Sequence, residues 1–505
     1  MSNSYQKVPS TTKVIPGDTI YSIAKKYNIK LNDILRSNPQ ITNPNQIRPG
    51  QIINLPNSGD EQDQPMKHKE AAIHNLRLEA GYKVELAAAG FTFPTSITFD
   101  EMGNIHVGES GFSYGPAKVE GGGKIYRIKQ SGDISLVAED FEGPLTGLTW
   151  YKGFFYVITG SNPGKVYQVD DRGNRKVIID GLPTGGDHYT SNIIFDNRDK
   201  MYFGTGTFTN SSVVGIDNFM MGWLASHPDW HDIAPVDYRL RGINYESLNP
   251  FKLDHPEILY TGAFHPFGEL SEEGEIIKGN LKANGVIYRA NIDGSELEQY
   301  ATGLRNPFAL NIAPYGGLLC IDQGYDARGS RPVANAPDPL YLIREGGWYG
   351  WPDYVAGIPI SDPRFQTDNK ELELVLAEHP PVTGETITNF EPHAAAMQFD
   401  FSYSSYFGHM GDAFVAFFGS LAPMTGKTPN HPGHRVVRLN MTTGEYSDFL
   451  TSEHDNGHAS IRPIDVKFNP FDHSLYVLDY GRIDVNEAEM TPYAESGALW
   501  RVSKS

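Results

Sequence analysis

The sequence predicts a mainly β chain: a six-bladed β-propeller behind a small N-terminal βααβ domain. Three observations carry this reading. A strand–turn–strand pattern recurs six times from residue 94 onward. The chain holds 52 glycines and 34 prolines, a supply of turn residues that suits many short strands. Residues 13–56 have a helical apolar period of their own. A length of 505 residues fits one large domain and one small one.

In the first unit, Lys13-Val14-Ile15 opens a strand and Pro16-Gly17-Asp18-Thr19 turns the chain. Asp18 or Thr19 can cap a helix that presents Ile20, Ile23, Ala24 and Tyr27 on one face. A second helix carries Leu31, Ile34 and Leu35 and stops at Asn38-Pro39. Arg48-Pro49-Gly50-Gln51 then leads into the closing strand Ile52-Ile53-Asn54-Leu55-Pro56. The Gly-Asp-Thr turn, the Asn-Pro pair and the Arg-Pro-Gly-Gln-x-Ile-x-Leu-Pro ending together resemble a LysM domain over essentially the whole segment. That resemblance implies binding of peptidoglycan, chitin or another N-acetylglucosamine polymer. The groove it implies is lined by Gly17, Asp18, Thr19 and Ile20 facing Asn38, Pro39, Gln40 and Ile41. Residues 1–12 read as a tail. Residues 57–73 are polar and aperiodic, a tether that would hold the second domain near whatever the first binds.

Residues 74–505 carry the propeller. Six inner strand pairs begin near Pro94, Leu145, Ser191, Asn306, Met397 and Arg462. A third strand follows each pair, at 124–127, 165–168, 286–289, 339–342, 435–438 and 499–502. Tyr82-Lys83-Val84-Glu85-Leu86 is the predicted fourth strand of the sixth blade, an exchange that closes the ring and removes two open edges.

In such a ring the loops entering the innermost strands, and those leaving the second strands, open at one mouth of the central channel. This gathers Asp187-His188, Arg305-Asn306, His393, Arg462 and the run Gly324 to Arg331 into one funnel. Three segments then resemble the soluble glucose and sorbosone dehydrogenases: Leu304-Arg305-Asn306-Pro307, Asp322-Gln323-Gly324-Tyr325-Asp326 and Gly347-Trp348-Tyr349-Gly350-Trp351-Pro352. The resemblance extends over roughly residues 78–504 and is strongest between 303 and 354. It implies pyrroloquinoline quinone and calcium at the top of the propeller, with a small-molecule sugar, an aldose, as substrate.

Oxidising a sugar hydroxyl needs a base for its proton and an acceptor for the hydride, and a histidine oriented by an adjacent acid suits the first task. His188 with Asp187 is the expected base. Arg305 is the expected cationic donor beside the quinone. Asn306, Arg462, Tyr325 and His393 are the further cofactor contacts, Arg462 through a carboxylate. The backbone carbonyls of Gly324 and Tyr325 are the calcium ligands the resemblance implies. Arg328 and Arg331 are expected to make inter-blade salt bridges, and Trp348, Tyr349 and Trp351 to pack blades.

The sequence departs from the family pattern at three places. Tyr325 stands where glucose-oxidising relatives carry proline, Thr207 where they carry an acid, and no lysine occurs in residues 418–423. Two readings therefore stand open: a sugar dehydrogenase tethered to cell-wall glycan, and a non-catalytic propeller acting as a glycan-anchored binding or structural protein at the spore or cell surface.

The net charge of −19 argues against nucleic acid and anionic membranes as partners. No apolar run approaches the roughly 18 residues of a membrane span. Cys320, the single cysteine, excludes an intrachain disulfide. The N-terminus Met-Ser-Asn-Ser-Tyr-Gln-Lys lacks the apolar core of a signal peptide. The expectation is synthesis in the cytoplasm, with spore coat, cortex or cell wall as the destination.

Overall fold

The computed structural model describes residues 11–15, 18–27, 34, 37–38, 41, 47–55, 73–111, 122–252, 257–367, 371–426, 428, 432–452, 454–455, 458–459, 461–485 and 490–505. The chain divides into two compact units, Met1–Ala71 and Ala72–Ser505.

In the first unit the strands Thr11–Lys13 and Ile52–Asn54 pair antiparallel. The helix Ile20–Tyr27 buries Ile20, Ile23 and Ala24 against Val14, Ile34, Ile53 and Leu55. Thr19 is its cap. Ser22 N donates to Thr19 Oγ1 at 3.0 Å, and Thr19 N donates to Ser22 Oγ at 2.9 Å, so two of the helix's orphan amides are satisfied reciprocally. Asp18 instead holds the preceding turn by accepting from Ile15 N at 3.0 Å. The second expected helix lies outside the described residues except for Ile34, Ser37 and Asn38; Ile34 and Asn38 are buried.

In the second unit six sheets form the blades, and their second strands, such as Ile105–Glu109, Leu318–Asp322 and Leu475–Asp479, are buried on both faces because each blade packs against a neighbour on either side. The inner strands are Pro94–Phe99, Leu145–Tyr151, Ile194–Phe195, Pro307–Ile312, Ala396–Phe401 and Pro463–Phe468. The ring closes as the sequence predicts: Tyr82–Phe91 pairs with Gly497–Lys504 as the outer strand of the sixth blade. A second N-terminal strand, Leu76–Leu78, adds to the outer edge of the fifth blade by pairing with Tyr446–Ser452. This extra closure was not legible in the sequence.

Polar side chains on the inner strands stitch each blade to the next. Thr98 Oγ1 accepts from Trp150 N at 2.9 Å, and Thr149 Oγ1 donates to Ile193 O at 2.5 Å. Asn192 both donates to Leu310 O and accepts from Leu310 N, each at 2.8 Å. Asn311 Nδ2 donates to Phe399 O at 3.0 Å. Asp400 accepts from Phe468 N, and Asp465 accepts from Ile97 N across the closure, both at 2.8 Å. These bonds occupy backbone groups that inner strands would otherwise leave unpaired on the channel side, and they fix the loops at the channel mouth.

Candidate active site

One cavity of about 180 Å3 opens at the end of the channel where the inner strands begin. Its polar side is built from Asp187, His188, Arg305, Asn306, Asp326 and His393; Phe308, Met397, Phe418, Leu421, Ile464 and Tyr480 make the apolar side. A ligand with a flat apolar body and a charged rim matches this division.

Buried acids hold the loops that carry the polar side. Asp322, at the end of a second strand, accepts from the amides of Arg305 and Asn306 at 2.7 to 3.1 Å. Asp479 does the same for Arg462 N at 3.0 Å. Asp338 accepts from Gly324 N and Ala396 N, each at 2.8 Å, and so ties the Gly324 turn to the strand that follows His393. Burial pushes the Asp322 carboxyl up to about 7 and that of Asp338 up to about 6, despite these donors.

His188 is buried with its ring at the cavity wall. Its Nδ1 lies 2.9 Å from Thr207 O and 3.1 Å from Thr207 Oγ1. A carbonyl can only accept, so Nδ1 carries the proton and Nε2 keeps its lone pair. Nε2 has no hydrogen-bond partner among the described residues. Burial, then the charges of Arg305 and Arg328, hold the imidazole well below the usual histidine range. Gly206 is required for this approach, because a Cβ there would lie 2.5 Å from His188 Cβ.

The expected Asp187–His188 dyad is not formed. Asp187 accepts from Trp223 Nε1 at 2.7 Å and from Asn218 Nδ2 at 3.1 and 3.2 Å, and it pairs with Arg328 at 2.8 Å. Consecutive side chains on an extended segment diverge, so the acid next to His188 in sequence serves a different neighbour. Arg328 makes the expected inter-blade salt bridges and is also the hub of the charged cluster: from the fourth blade it reaches Asp187 and Asp217 of the third, the latter at 2.7 Å, and it pairs with Asp326 at 3.2 Å. Arg331 pairs with Asp353 at 2.6 Å, an ion pair between two loops of the fourth blade.

Arg305 is committed to protein. It donates to Asn210 O at 3.1 Å, Asn210 Oδ1 at 2.8 Å and Gln323 O at 3.2 Å, and it pairs with Asp326 at 3.2 Å. Its effect on a ligand is therefore mainly that of a nearby charge. Asn306 Nδ2 donates to Gln323 Oε1 at 2.6 Å, while Asn306 Oδ1 is buried without a partner. Burial alone would raise the Asp326 carboxyl, but the hydrogen bond to His393 and the charges of Arg305 and Arg328 hold it well below the usual range. His393 is 3.6 Å from Asp326; burial works against its charged form, and Asp326 outweighs burial and raises its pKa.

Arg462 has no carboxylate within ion-pair distance among the described residues. Its guanidinium makes one long bond to Ser420 O at 3.5 Å and lies over the Phe418 ring at 5.2 Å. Burial pulls its pKa down to about 10. The guanidinium is half-buried and, contrary to the expectation from the sequence, Arg462 is not among the residues that line the cavity; its neighbours Phe418 and Ser420 are.

The Tyr325 ring is buried in the core, with its hydroxyl donating to Tyr354 O at 3.2 Å, so its backbone is what remains for a ligand. The carbonyl oxygens of Gly324 and Tyr325 accept no hydrogen bond among the described residues. Such oxygens suit a hard cation. No cluster of three or more acidic, histidine or cysteine side chains able to hold a metal is found among the described residues. Trp348, Tyr349 and Trp351 are buried in blade packing, and Cys320 is buried in a strand.

Of the expected glycan contacts, Gly17, Pro39 and Gln40 lie outside the described residues. Ile20 belongs to the core of its unit, and Ile41 packs against that core. Asn38 is a correction. It is fully buried and clamps the fold, donating to Ile34 O at 2.6 Å and Asn54 O at 2.8 Å and accepting from Asn54 N at 2.8 Å.

Comparison with known proteins agrees with this architecture. The LysM domain family model matches residues 12–56. A segment of 180 residues, 36% of the chain, is 27% identical to quinoprotein glucose dehydrogenase B of Acinetobacter calcoaceticus. A segment of 56 residues, 11% of the chain, is 46% identical to the endolysin of Bacillus phage PZA. These matches span 29% and 22% of the two relatives' own lengths.

Among solved structures, the holo pyranose dehydrogenase PQQ domain of Coprinopsis cinerea superposes with a TM-score of 0.52 at 15% identity, over 85% of this chain and 97% of that one. The calcium structure of the Trichoderma reesei family AA12 enzyme gives 0.51 at 16% identity, again over 85% and 97%. The N-terminal unit is a LysM domain. The second unit has the β-propeller fold of the soluble glucose and aldose dehydrogenases of the pyrroloquinoline quinone type.

Proposed function

We propose that this protein is a sugar dehydrogenase that transfers hydride from the hydroxyl-bearing carbon of an aldose to pyrroloquinoline quinone in the propeller cavity. The observation that carries the reading is His188: a buried neutral imidazole with its donor nitrogen engaged and Nε2 left open at a cavity wall. Such a group accepts the hydroxyl proton at Nε2 as the hydride leaves the same carbon. The residues present fit the cofactors. Phe418 and Tyr480 offer an apolar wall, the carbonyls of Gly324 and Tyr325 offer oxygens for calcium, and Arg462, next to the lining residues Phe418 and Ser420, would supply a cation for a carboxylate.

Pyrroloquinoline quinone, when bound, supplies the hydride acceptor, and calcium polarises it. Arg305, at the cavity wall, would place a cation near the point where negative charge develops. Asp326 with His393 balances that charge and keeps the guanidinium groups fixed. The LysM unit, in the same proposal, binds an N-acetylglucosamine polymer such as peptidoglycan and retains the enzyme at a cell-wall or spore surface.

The test is reduction of an artificial dye by the purified chain with quinone, calcium and a panel of aldoses. Turnover that disappears in His188→Ala supports the reading, and the absence of turnover with every aldose speaks against it.

One observation favours a second reading, a glycan-anchored binding propeller without catalysis. Phe418, Gly419, Ser420 and Leu421 line the cavity and bring no lysine to it. A cavity that binds sugar or protein ligands while giving no turnover with quinone supports that alternative.

A further inference from the structure

His188 is one of two members of a tightly bonded unit. The other is the turn at residues 207–209. Thr207 O and Oγ1 both face His188 Nδ1, and Thr207 Oγ1 spends its own proton on Thr209 O at 2.7 Å, so that hydroxyl can only accept from the ring. Phe208 O accepts from Asp187 N at 2.9 Å, which ties the same turn to the backbone beside His188. Behind the turn is Asp232. Its Oδ1 accepts from Phe208 N at 2.6 Å and its Oδ2 from Thr209 Oγ1. Asp232 is buried and has no cationic partner among the described residues.

A buried carboxylate without a counter-charge costs stability, yet this one spends both oxygens on a three-residue turn. Arg305, Arg328 and Asp326 face the imidazole, and none of them bonds Nδ1. The ring's orientation and tautomer are therefore set from the turn and not by an acid directly attached to the ring.

We propose that Thr207 and Asp232 are positioning residues that hold the His188 proton on Nδ1 and so leave Nε2 as the acceptor facing the cavity. Thr207 supplies both acceptors, and Asp232 keeps the turn from rotating its carbonyl away. The inference rests on the reading of His188 as the proton acceptor, but its test does not depend on turnover.

The full chain labelled with 15N-histidine, its His188 signals assigned by loss in His188→Gln, reports the tautomer from the two ring-nitrogen shifts. Wild type is expected to show neutral His188 as the Nδ1–H form by more than tenfold. Asp232→Ala is expected to bring the two tautomers within about threefold of each other. Thr207→Val, which keeps the carbonyl and the side-chain size, is expected to cut the preference by a smaller factor, and Thr207→Ser to restore it.

If Asp232→Ala does not fold, the wild-type spectrum and the Thr207 pair still decide. A wild-type Nε2–H tautomer overturns the proposal. So does a Thr207→Val spectrum identical to wild type, and so does an unchanged ratio in a folded Asp232 variant. If the tautomer behaves as expected and no aldose is oxidised, the positioning device stands and only the dehydrogenase reading fails.

Discussion

His188 donates its Nδ1 proton to Thr207 O at 2.9 Å, while the Asp187 carboxylate beside it in sequence is bonded to Arg328, Asn218 and Trp223. A base backed by a neutral carbonyl gains less basicity than a carboxylate would lend it. Burial and the two arginines lower it further. The base form should therefore persist below about pH 6.5, the ordinary histidine value. The expected pH profile of kcat/KM has its acid limb below that point. Thr207→Asp, which adds an anion next to Nδ1, should move the limb up by roughly one unit or more.

Asp187→Asn separates the observed arrangement from a catalytic dyad. Arg328 would keep Asp217 and Asp326 but lose one carboxylate, at a cost of about 1–3 kcal/mol in a denaturant melt. Turnover should fall less than about tenfold. In a dyad, the same substitution misdirects the tautomer and costs on the order of 10⁴.

Arg462 is expected to exchange stability for ligand binding. Its half-buried guanidinium has only one long bond, to Ser420 O, and the Phe418 ring as partners, so Arg462→Met should raise the melting temperature of the cofactor-free protein. The same variant should weaken quinone binding by at least about tenfold, the worth of a charge-assisted bond. Calorimetry on the free protein and a quinone titration check the two halves.

The architecture was legible because it rests on local, repeated signals: alternating inner strands, turn glycines, and an exchange strand with an alternating pattern at the start of the domain. The site was legible in part. Loop positions at the channel mouth follow from topology, which is why His188, Arg305, Asn306 and His393 come together. What each side chain bonds to does not follow from topology. Asp187 was read with His188 because they are adjacent, although adjacency on an extended chain separates side chains. Asp232 lies 44 positions beyond His188 and carries no motif, so nothing marked it. Asn38 looked like a turn residue in a groove because its partner, Asn54, comes only with the closing strand.

The buried acids predict a pH dependence of stability. Burial raises Asp232 and Asp322 to about 7, against about 3.9 in an unfolded chain. Between those values the folded state binds more protons than the unfolded one, so stability falls as pH rises toward and through 7. Histidines lowered by folding, His188 and His106, are neutral in both states above about pH 6.5 and do not oppose this. The melting temperature of the propeller should be higher at pH 6.5 than at pH 8, and Asp232→Asn should flatten the difference.

Asn38→Ala should destabilise the LysM unit by about 1–3 kcal/mol, because it removes the partner of Asn54 N, Asn54 O and the buried Ile34 O. Retention on insoluble peptidoglycan should fall with the unit's melting and not through lost sugar contacts. Thr19→Ala should act more weakly, by about 1 kcal/mol, through the helix cap.

The propeller cavity is proposed above as a quinone site. Titration of the full chain with pyrroloquinoline quinone, with calcium and with a chelator, repeated on Arg462→Ala, decides it. One saturable site per chain is expected at micromolar quinone or below, weakened by the chelator and by the substitution. Binding that does not saturate, or that ignores both calcium and Arg462, would contradict it.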